Sequence, residues 1–126
     1  MQDIDAYKES IVQDKSFKFS LLIIALYKKL SQTDDNPILR QLLRSATSIG
    51  ANVNEASAGQ TKRDFITKMS IASKEARETL YWLKLLENSN WYSVDLKTHL
   101  SESNELVKIL TKIVKTSQEN LKNIKN

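Results

Sequence analysis

The sequence predicts an all-α protein built as an antiparallel, up-down-up-down four-helix bundle. Only two glycines and one proline occur in 126 residues, which is too few for the frequent turns of a β-sheet protein. Four segments carry apolar residues at the three- and four-residue spacing of amphipathic helices, and short polar stretches separate them. Because these connections are short, neighbouring helices are expected to run in opposite directions.

The first helix is predicted over about residues 15–31, with Asp14 as its N-cap. Residues 1–13 are expected to be an N-terminal extension to this helix. Their apolar positions have helical spacing, so the extension can form a short helix of its own. The bundle domain is therefore predicted to occupy residues 14–126.

The second helix is predicted to begin at Asn36 and Pro37, because an N-cap residue followed by proline at the first helical position is a strong start signal. It is expected to end near Ser57, and the third helix to run from around residues 61–64 to about Glu87. Core-facing side chains of the third helix alternate at spacings of four and three, which predicts one narrow seam: Phe65, Met69, Ala72, Ala76, Thr79, Leu83 and Leu86.

The fourth helix is predicted to begin at Ser93 and to end near Leu121. Asp95 would then lie in its first turn, where the helix dipole favours an anion. The side opposite its apolar residues carries four lysines: Lys108, Lys112, Lys115 and Lys122.

These four lysines are the candidate nucleic-acid-binding residues. The chain has 19 Lys and Arg against 15 Asp and Glu, a net charge of +4, and the excess lies in its second half. Positive charge of this size permits nucleic-acid binding without requiring it. A solvated helix face is the alternative, because Glu105 and Glu119 dilute the lysines and no aromatic side chain lies among them.

Two helices carry more apolar surface than a monomeric bundle needs. In the third helix, Ile71, Trp82 and Leu85 lie off the seam. The first helix is apolar on two opposite sides. One side carries Phe17, Leu21 and Ile24, and the other carries Phe19, Leu26 and Leu30. Apolar patches left in water favour association, so the chain is expected to form a homo-oligomer. Alternatively, the first helix is simply the most buried, and Trp82 lies against a loop or the N-terminal segment.

Seven residues are the candidate subunit contacts: Arg44, Asn52, Ile71, Glu75, Glu78, Trp82 and Leu85. Arg44 and Glu55 share the polar face of the second helix, but they are eleven residues apart, ~16 Å along a helix, and cannot pair with each other in one chain. Each is expected to pair across a subunit boundary, where arginine is enriched. A solvated face is the alternative.

Chemistry-bearing clusters are sparse in this sequence, so no enzymatic activity, metal or cofactor is expected. The chain has no cysteine, and its one histidine, His99, has only Asp95 and Glu102 near it on the same helix. Glu75 and Glu78 are adjacent on one face, but they are better explained by surface or interface pairing than by acid–base catalysis. No small-molecule substrate, signal peptide or membrane span is evident, which favours a cytoplasmic location.

Two stretches closely resemble the signatures of a known family. The first is Gln41–Val53, and the second runs from Asp64 to Leu83. Both resemble the small four-helix-bundle proteins first noted as reading frames in 23S rRNA intervening sequences, and the likeness covers about residues 14–122. One departure lies at residues 54–56, where Asn-Glu-Ala replaces a segment that often ends in glycine.

The resemblance implies a left-handed antiparallel bundle that assembles into a homopentameric ring or barrel. It also implies kinship with the accessory variability proteins of diversity-generating retroelements, which are basic pentamers that bind a reverse transcriptase. No enzymatic activity is established for the family. We therefore expect a non-enzymatic oligomeric scaffold or adaptor with a basic surface that contacts RNA, DNA or a polymerase-like partner. The alternative is a protein-interaction module whose charge serves only solubility.

Overall fold

The computed structural model describes the backbone of residues 2–125 and the side chains of residues 9–123. This part of the chain contains four helices and no strand: α1 (Gln2–Leu30), α2 (Pro37–Ser57), α3 (Lys62–Ser89) and α4 (Lys97–Lys125). The predicted all-α class is therefore confirmed.

Each helix packs against its neighbours in the chain, and α1 also packs against α4. The contact between α2 and α3 is the most extensive, and the contact between α1 and α4 is the least. Over the described residues, the backbones of α1 and α3, and those of α2 and α4, do not approach each other closely, so these pairs lie on the diagonals. This closed arrangement is consistent with a four-helix bundle.

The core forms where the apolar stripes of the helices meet. On α3, Phe65 is half-buried and the other six residues of the predicted seam are buried. Leu39, Leu42 and Ile49 of α2 face them and are almost completely buried. Burying each large apolar side chain contributes about 1.5–3 kcal/mol, so this seam is a main source of stability.

Glycine allows α1 and α2 to approach closely. A Cβ atom added to Gly50 of α2 would lie 3.3 Å from Ser20 Oγ and 3.4 Å from the carbonyl oxygen of Ser16, both on α1. The first of these distances is shorter than ordinary van der Waals contact. A larger side chain at this position would therefore push the two helices apart.

Helix α1 begins earlier than the sequence predicts. It is continuous from Gln2, so the residues expected to form a separate short helix belong to α1 itself. Asp14 lies inside the helix rather than at its N-cap, and its carboxylate pairs with Lys18 one turn later at 2.9 Å. Because Val12 and Ser16 on either side of Asp14 are buried, packing continues across the expected start. Whether residues 1–13 form an extension separate from a bundle domain at residues 14–126 remains a prediction.

The ends of α2 and the start of α3 agree with the predictions. Asn36 is the N-cap of α2, and its side-chain oxygen accepts a hydrogen bond from the Ile38 amide at 2.9 Å. Thr61 caps α3 in the same way, accepting from the Asp64 amide at 3.0 Å. These short polar side chains satisfy amides that have no partner within the helix.

Helix α4 begins at Lys97, four residues after the predicted start at Ser93. Asp95 Oδ1 accepts a hydrogen bond from the Lys97 amide at 3.0 Å, so Asp95 precedes the helix instead of lying in its first turn. Long-range contacts hold the preceding residues out of the helix: Tyr92 Oη donates to Asp34 Oδ1 at 2.6 Å, and Trp91 Nε1 donates to Asp34 Oδ2 at 2.9 Å. This aspartate thereby ties the α1–α2 loop to the α3–α4 loop.

Candidate functional site

The outer side of α1 carries an exposed apolar stripe, which we call the α1 stripe: Phe17, Leu21 and Ile24. Their exposed fractions are 65%, 52% and 38%. The opposite side of the same helix is buried, including Phe19 and Leu26. The predicted two-sided distribution of apolar residues on α1 is thus confirmed, and the first helix is not simply the most buried one.

The off-seam apolar residues of α3 are less exposed than those of α1. Ile71 is 37% exposed, whereas Trp82 and Leu85 are half-buried. Trp82 packs against the core, and its ring makes an edge-on contact with Tyr81, with centroids 5.3 Å apart. Tyr81 itself is 56% exposed, a position that the sequence argument did not single out. Its helical position lies beside the off-seam face, which is the signal that could have identified it.

Arg44 of α2 binds two carboxylates of α3. Its Nη1 lies 3.0 Å from Glu75 Oε2, and its Nη2 donates to Glu78 Oε2. Its Nε donates to Gln41 Oε1 at 3.0 Å, and Trp82 Nε1 donates to the same Glu78 oxygen at 3.0 Å. Within the chain, Arg44 therefore has acidic partners on the adjacent helix, which the sequence did not predict. Its pairing across a subunit boundary remains a prediction.

The other polar residues proposed for a subunit contact have simpler surroundings. Asn52 Nδ2 donates to the Ser48 carbonyl at 2.9 Å and to Ser48 Oγ at 3.1 Å, so its amide is held against its own helix. Glu55 is exposed, and no ion pair involves it within the described residues. The role of all seven candidate residues between subunits remains a prediction.

The four candidate lysines of α4 are all exposed. None of them forms an ion pair with the described part of the chain. Glu105, expected to dilute them, is engaged elsewhere, because Lys15 Nζ of α1 lies 2.7 Å from its Oε1. This hydrogen bond raises the pKa of Lys15. Glu119 remains exposed beside the lysines.

His99 of α4 is half-buried, and its Nδ1 is buried with no hydrogen-bond partner among the described residues. In that part of the chain, no group of three histidine or carboxylate side chains could hold a metal ion. The expectation that the chain binds no metal remains a prediction. Burial lowers the pKa of His99, and the carboxylate of Asp95 opposes this effect only in part.

A cavity of about 770 Å³ opens at the end of the bundle that carries the α2–α3 loop, and we call it the end cavity. All four helices contribute to its wall. At this end α1 extends past α2: Gln13 of α1 donates to Ser57, the last residue of α2, so residues 2–12 of α1 continue roughly 16 Å farther. The cavity was not predicted from the sequence, because its wall is assembled from four separate helices.

The described helices include none that is both long enough and apolar enough to cross a bilayer.

The sequence pattern of the family described as 23S rRNA-intervening sequence protein matches residues 8–112. The chain belongs to this family. A crystal structure of a protein with unknown function from the S23 ribosomal protein family of Bacteroides thetaiotaomicron is also similar. It has a TM-score of 0.80 and 42% sequence identity, and the match covers 86% of this chain and 98% of that chain.

No curated protein matches the sequence significantly. Membership in the 23S rRNA-intervening sequence protein family confirms the resemblance based on the two motif stretches. The matched region contains the α1 stripe, Arg44 with its two carboxylates, and Lys108 and Lys112. It ends before Lys115 and Lys122, so half of the candidate lysine set lies beyond the family match.

Proposed function

We propose that this chain is a non-enzymatic cytoplasmic scaffold that forms a ring-like homo-oligomer, which the family resemblance suggests is a pentamer. Its basic outer surface contacts nucleic acid or a protein that processes nucleic acid. The observation that carries the proposal is the α1 stripe, whose apolar side chains have no cover in a single chain.

In this proposal, neighbouring helices of the bundle run in opposite directions. A bond joins Gln13, in the first half of α1, to Ser57 at the end of α2. The short connection between these helices joins Leu30 to Pro37 at their other ends. The two contact points support an antiparallel pair, and loops of similar length between the later helices support the same alternation.

The positions of the apolar surfaces favour a ring. The α1 stripe and the off-seam face of α3 belong to helices on diagonal corners of the bundle, because the backbones of α1 and α3 do not approach each other closely within the described residues. A contact between two different surfaces of identical chains is head-to-tail, and it closes into a ring when the rotation per subunit divides the circle. We therefore assign Ile71, Trp82 and Leu85 of one subunit as the surface that covers the α1 stripe of the next.

The polar candidate contacts flank this apolar centre. Arg44, Glu75 and Glu78 form a connected charged group next to Trp82 and would lie at the edge of the contact. Asn52 lies farther along α2. Covering three or four large apolar side chains per contact supplies several kcal/mol, at about 1.5–3 kcal/mol for each one fully buried.

The exposed lysines support the second part of the proposal. Lys108, Lys112, Lys115 and Lys122 repeat in every subunit, so a ring would carry a large positive field. Each phosphate contact releases counterions from the nucleic acid, which makes such binding strongly dependent on salt.

Sedimentation of the native protein tests the oligomer. The expected result is a particle whose mass is a multiple of the 14.4 kDa chain, with five copies as the specific expectation. A monomer that persists in concentrated solution would contradict the proposal, because the α1 stripe would then remain in water.

Filter binding of RNA and duplex DNA at low and at moderate salt tests the basic surface. The expected result is retention at low salt that falls steeply as salt increases. Failure to retain either nucleic acid at low salt would remove this part of the proposal. An oligomer that passes the first test and fails the second would be a protein-interaction module, the alternative function.

A further inference from the structure

We propose that the end cavity binds an amphipathic carboxylate of the fatty-acid class. The apolar tail enters the cavity, and the carboxylate faces Lys62 and Lys112 of its wall. This inference does not rest on the proposed oligomer. It shares Lys112 with the proposed nucleic-acid-binding set, whereas Lys62 belongs to the end cavity alone.

The size and wall of the end cavity suit an aliphatic chain. Its volume of about 770 Å³ lies within the range of small-molecule sites. Apolar side chains line it from three helices: Ile11 of α1, Phe65 and Ile66 of α3, and Ile109 and Ile113 of α4. An alkyl chain gains free energy from contact with such a wall for every methylene that leaves water.

The charges at the end cavity favour an anionic head group. Three lysines and two glutamates contribute to its wall: Lys15, Lys62 and Lys112 with Glu9 and Glu105. Glu9 is already engaged by an interaction of its own. Lys15 is neutralised by Glu105 at 2.7 Å. Lys62 and Lys112 are both exposed, and neither has an ion pair or hydrogen bond with the described residues. The wall therefore carries two exposed cations that have no partner among the described residues, beside an apolar interior.

This combination matches a carboxylate with an alkyl tail better than other small anions. A nucleotide would place several charges and a polar sugar against the isoleucine and phenylalanine side chains, and polar groups without partners are costly to bury. A neutral amphiphile would leave both lysines without a counter-charge. A single carboxylate can instead accept charge-assisted hydrogen bonds from an ammonium group while its tail stays in the cavity.

Calorimetric titration of the full chain tests the proposal. The probes are octanoate, decanoate and dodecanoate, each kept below its micelle-forming concentration. Affinity should rise roughly tenfold for each added pair of methylenes, since each one contributes about 0.8 kcal/mol. Decanol should bind roughly tenfold more weakly than decanoate, because it lacks the charge.

Matched lysine variants test the position of the carboxylate. The double variant Lys62→Gln/Lys112→Gln should weaken decanoate binding roughly tenfold, as expected when charge-assisted hydrogen bonds are lost. The control Lys108→Gln/Lys115→Gln removes the same charge from exposed positions outside the cavity wall, and should leave the affinity unchanged.

A steric variant tests the tail. Ser117 lines the end cavity, whereas its exposed neighbour Gln118 does not. Ser117→Phe should abolish dodecanoate binding, and Gln118→Phe should retain it, with circular dichroism confirming helix in both. If Ser117→Phe fails to fold, the lysine variants decide the question. The proposal is overturned if dodecanoate gives no heat at either of two temperatures, since apolar burial changes the binding enthalpy with temperature. It is also overturned if decanol binds as tightly as decanoate, or if both lysine pairs have the same effect.

Discussion

Arg44 Nη1 on α2 lies 3.0 Å from Glu75 Oε2 on α3, and this ion pair fastens the two helices that share the largest contact in the bundle. The side chain of Glu75 is only 13% exposed, whereas that of Arg44 is 49% exposed. The pair is therefore intermediate between a surface salt bridge and a buried one. Its contribution to the free energy of unfolding should also be intermediate.

Arg44→Met should lower the free energy of unfolding by about 1 kcal/mol, because Glu75 would keep its partly buried charge without a cation. Urea unfolding measures this change. The control is Arg40→Met, one turn earlier, where the arginine pairs with Asp35, whose side chain is 84% exposed. That variant should be close to neutral. Equal losses in both variants would mean that the contact with α3 adds nothing.

Leu21→Glu should reduce the mass of the native particle while the helix content stays constant. Leu21 is the central residue of the α1 stripe and is 52% exposed, so the change leaves the core of a single chain intact. Light scattering and circular dichroism measure the two quantities. Lys29→Gln is the control, since it lowers the charge by the same amount at an exposed position of α1 outside the stripe. An unchanged mass for Leu21→Glu would show that the stripe is not a subunit contact.

Gly50→Ile should destabilise the bundle by about 1–3 kcal/mol, the usual cost of overpacking. The added side chain would meet Ser20 and the backbone of Ser16, and backbone atoms cannot move aside easily. The neighbouring variant Ala51→Ile introduces the same β-branched residue at an exposed position and should change stability little. Thermal or urea unfolding compares the two. Because isoleucine is a better helix former than glycine, a loss at Gly50 cannot come from helix propensity. No loss at Gly50 relative to Ala51→Ile would show that the close contact with α1 tolerates a side chain.

The stability of the folded chain should fall as the pH is lowered through about 6.5, because burial lowers the pKa of His99 in the folded state. Below the unfolded-state pKa the unfolded chain binds a proton that the folded chain does not, so this contribution is present at higher pH and is lost on acidification. Urea unfolding at a series of pH values measures the slope. In His99→Gln the slope between about pH 7.5 and 5.5 should flatten. A slope that persists in this variant would have another origin.

The double variant Lys108→Gln/Lys115→Gln should weaken nucleic-acid binding at low salt. The slope of log affinity against log salt concentration should become less steep by about 2. Each lysine that contacts a phosphate contributes close to one unit of this slope for duplex DNA. The control Lys28→Gln/Lys29→Gln removes the same charge from α1. Equal effects of the two pairs would indicate attraction to the total charge instead of a contact surface on α4.

Local signals in the sequence were sufficient for much of the fold. The Asn36–Pro37 pair placed the start of α2 correctly, because a cap depends on neighbouring residues alone. The spacing of α3 identified its buried seam for a similar reason. The start of α4 was wrong because Tyr92 is held by Asp34, 58 residues away, and such a contact has no local pattern.

The candidate surfaces, too, could be predicted from the sequence only where the signal is local. The exposed side of α1 followed from its two-sided apolar pattern, since one helix cannot bury both sides in a four-helix core. The partners of Arg44 did not follow, because they lie 31 and 34 residues away on another helix. The end cavity depends on the register between α1 and α2, which no single segment encodes.

The extra length of α1 beyond the last residue of α2 makes the two ends of each bundle unlike. In the proposed ring, with the bundle axes along the symmetry axis, every overhanging α1 terminus would lie at one pole and every Asp34-tied pair of loops at the other. A macromolecule that approaches along the axis would meet different chemistry from above and from below, so the assembly would have an intrinsic direction.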